Sequence, residues 1–335
     1  CSTPRCIAKV QNKSLSLLFC IRETYDSTQI KLHDLCLVKK VHKSGFVNII
    51  GHPNVGKSTL INAIIGERLN IITHKAQTTR HRIFGILNGK NKEFEYQVVF
   101  SDTPGVLEPA YALQESMMSS VKSALEDADV FLYVVELGEG PLKNESILES
   151  LKKSDKPLLL LLNKVDLHDQ GKLEKEATLW SDRMPNAEVI PISALTKFNL
   201  DYLLKRILEL IPDSPPYFGK EQLTDRSERF VTSEIIREQI LIYYNKEIPY
   251  SVEVEIDSFK ETDDLIKIRA LLFVARESQK GIIIGHKGAA LKRVGVGARK
   301  KMQNFFKKHI HLELFVKVQA DWRNNRDKLK KFGYE

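Results

Sequence analysis

The chain has 335 residues with 51 Lys+Arg against 43 Asp+Glu, a net charge of +8, and it is 42% apolar and 28% charged. This balance is ordinary for a globular protein and excludes a collagen-like, wholly disordered or disulfide-scaffold chain, while the length suggests two domains. No apolar run approaches the roughly 18 residues of a membrane helix. All four cysteines (Cys1, Cys6, Cys20 and Cys36) lie in the first 36 residues without CxxC spacing, so we expect a reducing compartment, no zinc site and no disulfide-linked partner.

Residues 1–43 read as an extension. No acid precedes Glu23, and Arg5, Lys9, Lys13 and Arg22 are scattered among Ser, Thr and small apolar residues. The composition weakly resembles an organelle transit peptide. Sparse Arg and a poor amphipathic pattern favour a segment of no defined structure.

From Gly45 the pattern becomes regular. GFVNIIG (45–51), EYQVVFSD (95–102), VFLYVVE (130–136), PLLLLLN (157–163) and AEVIPIS (187–193) read as strands. Between them, STLINAII, ESMMSSVKSALED and LDYLLKRILEL place apolar residues at helical spacing. Strand–helix alternation with strands apolar on both faces predicts an α/β domain over 44–212, with a mostly parallel sheet and helices on both faces. The alternation stops at a proline-rich stretch, IPDSPPYFGKEQ, read within a linker at 213–229. Beyond it, 230–335 reads as α-β-β-α-α-β with a basic tail, an α+β domain.

Four short motifs fall at predicted strand ends, where ligands bind in such sheets. GHPNVGKS (Gly51–Ser58) follows a strand and opens a helix, the context a phosphate-binding loop requires. Gly51 and Gly56 let the backbone N–H groups close on phosphate oxygens, and the helix start adds partial positive charge. Asn54, Val55 and Thr59 lie within or beside the loop, Lys57 can reach the β- and γ-phosphates, and the Ser58 hydroxyl can hold Mg²⁺. DTPG adds Asp102, a carboxylate for Mg²⁺, and Gly105, an N–H for a γ-phosphate. NKVD adds Asn163, Lys164 and Asp166. The Asp166 carboxylate can accept from N1–H and the 2-amino group of guanine, donors that adenine lacks. ISA adds Ser193 and Ala194, with a backbone N–H after Ser193 for guanine O6.

In order and placement the set resembles the GTPase superfamily, which implies GTP and GDP as ligands with Mg²⁺. By that resemblance QTTRH (77–81) is the switch segment, and Thr79, ahead of Thr78, completes the Mg²⁺ shell. Lys57, Thr79 and Gly105 are then the residues expected to act in hydrolysis. Ras-like enzymes place a Gln after their DxxG to orient water. Here Val106 stands there, so unassisted hydrolysis should be slow. Asn54 matches an Asn that related GTPases use to bind K⁺, an ion that can stand in for an arginine finger.

In the second domain GIIIGHKG contains a GxxG at Gly285, His286, Lys287 and Gly288, after an apolar run and before a basic helix carrying Lys292 and Arg293. With Gly281 and the α-β-β-α-α-β order, this resembles a bacterial-type (type II) KH domain, whose loop clamps single-stranded nucleic acid. His286 reads equally as a plain loop residue. Trp322, Arg323, Arg326, Lys328, Lys330 and Lys331 interleave aromatic and basic residues. They suit RNA stacking, with a solvated helix face as the alternative. Residues 281–335 hold 14 Lys+Arg against 4 Asp+Glu, so the positive surplus is concentrated there.

The combination resembles the Era family on GHPNVGKST, KAQTTRHRI, DTPG, NKVD, ERF, GIIIGHKGAALKRVGV and WR, from about His42 onward. That implies a GTPase that binds the 3′ end of small-subunit ribosomal RNA and assists small-subunit assembly in the cytoplasm. Some members associate peripherally with the inner membrane, and organellar relatives exist. Three readings remain open: a GTP-driven switch, an RNA chaperone in which GTP is only structural, and a GTPase of another RNA pathway such as tRNA modification or large-subunit assembly.

Overall fold

The computed structural model describes residues 42–334 apart from 68 and 76. The expectations for 1–41 fall outside the described residues. Six strands form the first sheet: β1 (His42–Gly51), β2 (Ile83–Lys90), β3 (Glu95–Asp102), β4 (Val130–Glu136), β5 (Leu158–Asn163) and β6 (Ala187–Pro191). Their order is β2-β3-β1-β4-β5-β6, parallel except for β2, which runs antiparallel to β3.

Five helices cover this sheet: α1 (Lys57–Ile65), α2 (Ala112–Glu126), α3 (Glu145–Lys153), α4 (Gln170–Arg183) and α5 (Leu200–Leu210). Successive strand residues point to opposite faces, which explains the run of leucines in β5. Leu159 and Leu161 pack with Leu60 and Ile61 of α1 and Leu203 and Ile207 of α5. Leu158, Leu160 and Leu162 pack on the other face with Met117 of α2, Ile147 of α3 and Trp180 of α4. Burying each of these leucines contributes about 1.5–3 kcal/mol.

The second sheet has order β7-β8-β9, from β7 (Val252–Glu261), β8 (Leu265–Val274) and β9 (His309–Val318). β7 and β8 are antiparallel, β8 and β9 parallel. Helices α6 (Glu228–Tyr243), α7 (Glu277–Ile284) and α8 (Ala289–Phe306) bury Ile236, Ile240, Ile283, Val294, Ala298 and Met302 against Val254, Ile268, Leu272 and Ile310. A short helix, α9 (Arg326–Lys331), follows. Both sheets belong to one compact unit. Among the described residues no helix is long and apolar enough to cross a membrane.

Of residues 213–229, expected to be a linker, 213–227 are held along an edge of the first sheet and the last two already belong to a helix. Ile86 N–H donates to Leu223 O at 2.8 Å, and Asn88 Nδ2 to Lys220 O at 3.0 Å. Gln97 Oε1 accepts from both Tyr217 and Phe218 N–H, at 2.7 and 2.9 Å. Strand β2 would otherwise present a row of unpaired backbone groups, and this segment covers them. Helix α6 begins at Glu228, capped by the Ser227 side chain, which accepts from Phe230 N–H.

Candidate functional site

The predicted motifs converge on a cavity of about 460 Å³, within the range of small-molecule pockets. Its walls include Asn54, Gly56, Lys57, Ser58, Thr59, Thr79, Gly105, Asn163, Lys164, Asp166 and Ala194. Two glycines are there because nothing larger fits. Gly56 has φ +101°, and a Cβ on it would lie 2.4 Å from Asn163 Nδ2. A Cβ on Gly105 would lie 2.6 Å from the Pro53 backbone, so the DTPG turn sits directly against the phosphate loop.

Lys57 Nζ donates to Gly51 O at 3.0 Å and His52 O at 2.7 Å. Burial pushes it down to about 8, against the pull of Asp102 and Glu139. Burial also pushes the Asp102 carboxyl up to about 6, although Ser58, Lys57 and Thr79 hold it down. Both shifts disfavour charge, so a polyanion beside Lys57 and a cation beside Asp102 would relieve them.

Ser58 Oγ donates to Asp102 Oδ2 at 2.7 Å, and Thr79 Oγ1 lies 3.1 Å from Ser58 Oγ. Asp102 Oδ1 is buried with no partner. Two hydroxyls and a carboxylate with a free lone pair form a hard-oxygen set, which fits Mg²⁺. Thr79, rather than Thr78, joins this set. Thr78 Oγ1 instead bonds Lys75 O and Thr73 Oγ1, each at 2.6 Å.

Other predicted residues act at one remove. Asn163 is buried; its Nδ2 donates to Val55 O at 2.7 Å and its Oδ1 accepts from Ala194 N–H at 3.0 Å. It therefore ties three loops together. The Ala194 N–H expected to face guanine O6 is engaged in that tie. Ser193 is buried and closes its own turn, its Oγ accepting from Thr196 N–H at 3.1 Å. Its side chain is not on the wall, so any part Ser193 has in binding nucleotide falls to the backbone that follows it. Val55 and Gly51 likewise lie behind the wall. A Cβ on Gly51 would lie 2.3 Å from Val134 O. Ile72, Leu167 and Leu195, missed in the sequence, add exposed apolar surface to the cavity. Val106 is buried in the core, and its N–H donates to Gly51 O at 3.0 Å.

A second concavity, about 420 Å³, lies between α8 and β9. Gly288, Leu291, Lys292, Gly295, Val296 and Arg299 line one side, and Ile310, His311, Leu312 and Leu314 the other. Apolar walls edged by cations can take bases and phosphates of a single strand. The GxxG turn precedes it, with Gly285, Lys287 and Gly288 at φ +69°, +49° and +78°. Of the residues predicted to touch RNA, Gly288 and Lys292 line the groove. His286 and Lys287 are exposed on the turn, and Gly281 is exposed within α7. Arg293 is off the groove, its guanidinium over the Tyr243 ring at 5.9 Å. Gly295, Val296 and Arg299 went unnoticed, yet they repeat the spacing of Gly288 and Lys292 along one helix face.

The tail corrects another expectation. Trp322 is wholly buried, and its Nε1 donates to Ser251 O at 3.1 Å, so it cannot stack on RNA. Arg323 lies 5.0 Å over the Tyr111 ring, and Arg326 pairs with Glu115 at 3.3 Å.

The switch segment bridges the two domains. Lys75 Nζ donates to Leu241 O at 2.5 Å and also to Tyr244 O. Arg237 of α6 donates to Thr78 O, and Arg80 pairs with Glu253 of β7 at 3.0 Å.

Fold and cleft define a P-loop GTPase followed by a KH domain. A family profile described as 50S ribosome-binding GTPase matches residues 46–164, and one described as KH domain matches 247–323. The chain is 47% identical to GTPase Era of Syntrophus aciditrophicus over 295 residues, 87% of this chain and 95% of that protein. It is 46% identical to that of Geotalea daltonii over 294 residues, 87% and 98% of the two chains. The chain belongs to the Era family of GTPases. Its structure is similar to that of Era in complex with MgGDPNP and nucleotides 1506–1542 of 16S ribosomal RNA, with TM-score 0.82 and 38% identity over 88% of this chain and 99% of that one. It is also similar to an Aquifex aeolicus Era variant bound to GDP·AlF4⁻, with TM-score 0.83 and 38% identity over 87% and 99%.

Proposed function

We propose that this protein is a GTP-hydrolysing switch whose KH groove takes the 3′ region of small-subunit ribosomal RNA, and that it serves assembly of that subunit in the cytoplasm. The observation that carries the reading is the placement of segment 75–81. Its Thr79 faces Ser58 and Asp102 in the cleft, while Lys75 and Arg80 are bonded to the KH domain. A change in what Thr79 touches is therefore felt by α6 and β7. The relative bound to both a GTP analogue and ribosomal RNA supports the choice of ligands.

In this reading Lys57 binds the β- and γ-phosphates, and Ser58, Thr79 and Asp102 hold Mg²⁺. Bound there, the ion would neutralise charge on the phosphate oxygens. The Gly105 N–H meets the γ-phosphate, Asp166 reads the guanine edge, and Asn163 keeps the three loops in register. Lys164, paired with Glu136 at 2.5 Å, and Leu167 shape the base end. Val106 cannot orient water, so hydrolysis depends on charge placed near the β/γ bridge. Asn54 supplies a site for K⁺; its Nδ2 is bonded to His74 O at 3.0 Å, which fixes the amide.

The domains are taken as 44–212 and 230–335. Crosslinking to total RNA with a non-hydrolysable GTP analogue tests the proposal. Enrichment of the small-subunit 3′ end in wild type, with loss in Lys57→Ala, is expected. Enrichment of tRNA or large-subunit RNA would refute it.

A further inference from the structure

Tyr334 lines neither of the two cavities just described, yet it is buried beside the switch. Its hydroxyl donates to Glu253 Oε2 at 2.8 Å, the oxygen that also pairs with Arg80 at 3.0 Å. Its ring stacks on His81, centroids 4.2 Å apart and planes 17° from parallel. Arg80 and His81 are the two residues after Thr79. Arg80 is further fixed by donating to Val252 O at 2.9 Å and Pro249 O at 3.1 Å.

The tail holds Tyr334 in place from the other side. Its N–H donates to Leu329 O at 2.9 Å, and Leu329 is buried. Phe332 packs edge-on against buried Trp322 at 5.7 Å. Leu113 N–H at the start of α2 donates to Arg323 O at 3.0 Å, so the same tail also grips the chain after DTPG.

We propose that Tyr334 is a positioning residue for the GTPase reaction. Through His81 and the Glu253–Arg80 pair it holds the Thr79 hydroxyl beside Ser58 and Asp102, ready for Mg²⁺ and GTP. The inference rests on the reading of Thr79 as a Mg²⁺ ligand, and takes that contact to be completed when the γ-phosphate is present. Without Tyr334 the competent arrangement is a smaller fraction of the free protein, and GTP affinity falls by that fraction. GDP, which has no γ-phosphate to be approached by the switch, is indifferent to it.

The test is a double-mutant cycle on the full chain with Tyr334→Ala and Thr79→Ala. Affinities for Mg²⁺·GDP and for a Mg²⁺·GTP analogue are read by fluorescence titration. Tyr334→Ala should weaken the analogue about tenfold and leave GDP within about twofold. Tyr334→Phe, which keeps the ring stack but not the hydroxyl, should recover part of the loss. In the Thr79→Ala background Tyr334→Ala should change neither affinity.

Unaltered analogue binding in Tyr334→Ala overturns the proposal. So does an equal loss of both nucleotides, which marks general damage, or a loss that persists without Thr79. If Thr79→Ala itself binds the analogue like wild type, the reading of the cleft has failed first, and the proposal falls with it.

Discussion

Gly56→Ala isolates the geometry of the phosphate loop, because a matched control exists on the same helix. Gly56 precedes α1 at φ +101°, and Gly66 follows it at φ +83°. An alanine in the left-handed region costs about 1–2 kcal/mol at either position. At Gly66 nothing lies within 4 Å of the added methyl, so that is the whole effect. At Gly56 the methyl would lie 2.4 Å from Asn163 Nδ2, the atom bonded to Val55 O. Displacing it leaves a buried carbonyl unpaired, about 1–3 kcal/mol more. The combined effect, about 2–5 kcal/mol, falls on the loop that closes around phosphate and corresponds to a 30-fold or greater loss of affinity. Titration calorimetry with GDP and urea unfolding should be run on both variants. Gly66→Ala should lose a little stability and no GDP affinity. If Gly56→Ala binds GDP within twofold of wild type, the argument that Asn163 and Gly56 jointly shape the loop is wrong.

Gly288→Asp should weaken RNA binding by about tenfold or more with GTP binding kept, because it sets a carboxylate where RNA phosphate would approach; its Cβ direction is open, so the left-handed φ of +78° adds only a local strain. Gly285→Asp is the less clean probe: its Cβ would lie 2.7 Å from Ala290 Cβ, so it should also lower the melting temperature. Val106→Gln should not accelerate hydrolysis. The site is buried, so it should instead cost about 1–3 kcal/mol in urea unfolding. Burial pushes His81 down to about 4 from 6.5, with Glu234 pulling it up and Arg237, Arg226 and Arg80 adding to the downward push. The unfolded chain therefore takes up a proton that the native state refuses, and this stability, full above pH 6.5, is lost as pH falls toward 4. Between pH 7 and 5 wild type should lose about 2 kcal/mol more than His81→Asn in urea unfolding. Asp102, pushed up to about 6, acts in the opposite sense in both proteins and cancels from the comparison.

The parallel strands were legible because burial on both faces leaves runs such as VFLYVVE and LLLLL with no polar break. The cleft was legible because phosphate and guanine each demand particular atoms at strand ends. Strand β2 escaped notice because IFGILNGK mixes glycine and polar residues at an edge whose outer side is covered by chain from far along the sequence. Helices α3 and α4 were missed because they bury few residues: Ile147 and Leu151 in one, Trp180 in the other. Trp322 looked like an RNA platform by composition alone. Only the fold shows the Ser251 carbonyl that receives its N–H. Asn163 read as a ligand-binding residue because sequence locates a side chain near a site without showing which atoms are already bonded.

The central claim is that nucleotide state in the cleft is transmitted through segment 75–81 to the KH groove. The most direct measurement is the affinity of the full chain for a single-stranded oligonucleotide from the 3′ end of small-subunit ribosomal RNA, at fixed salt, with a Mg²⁺·GTP analogue and with Mg²⁺·GDP. The account predicts clearly tighter binding with the analogue, and no difference between the nucleotides in Thr79→Ala. Equal affinity in the two states of wild type would contradict it, and would leave GTP as a structural ligand of an RNA-binding protein.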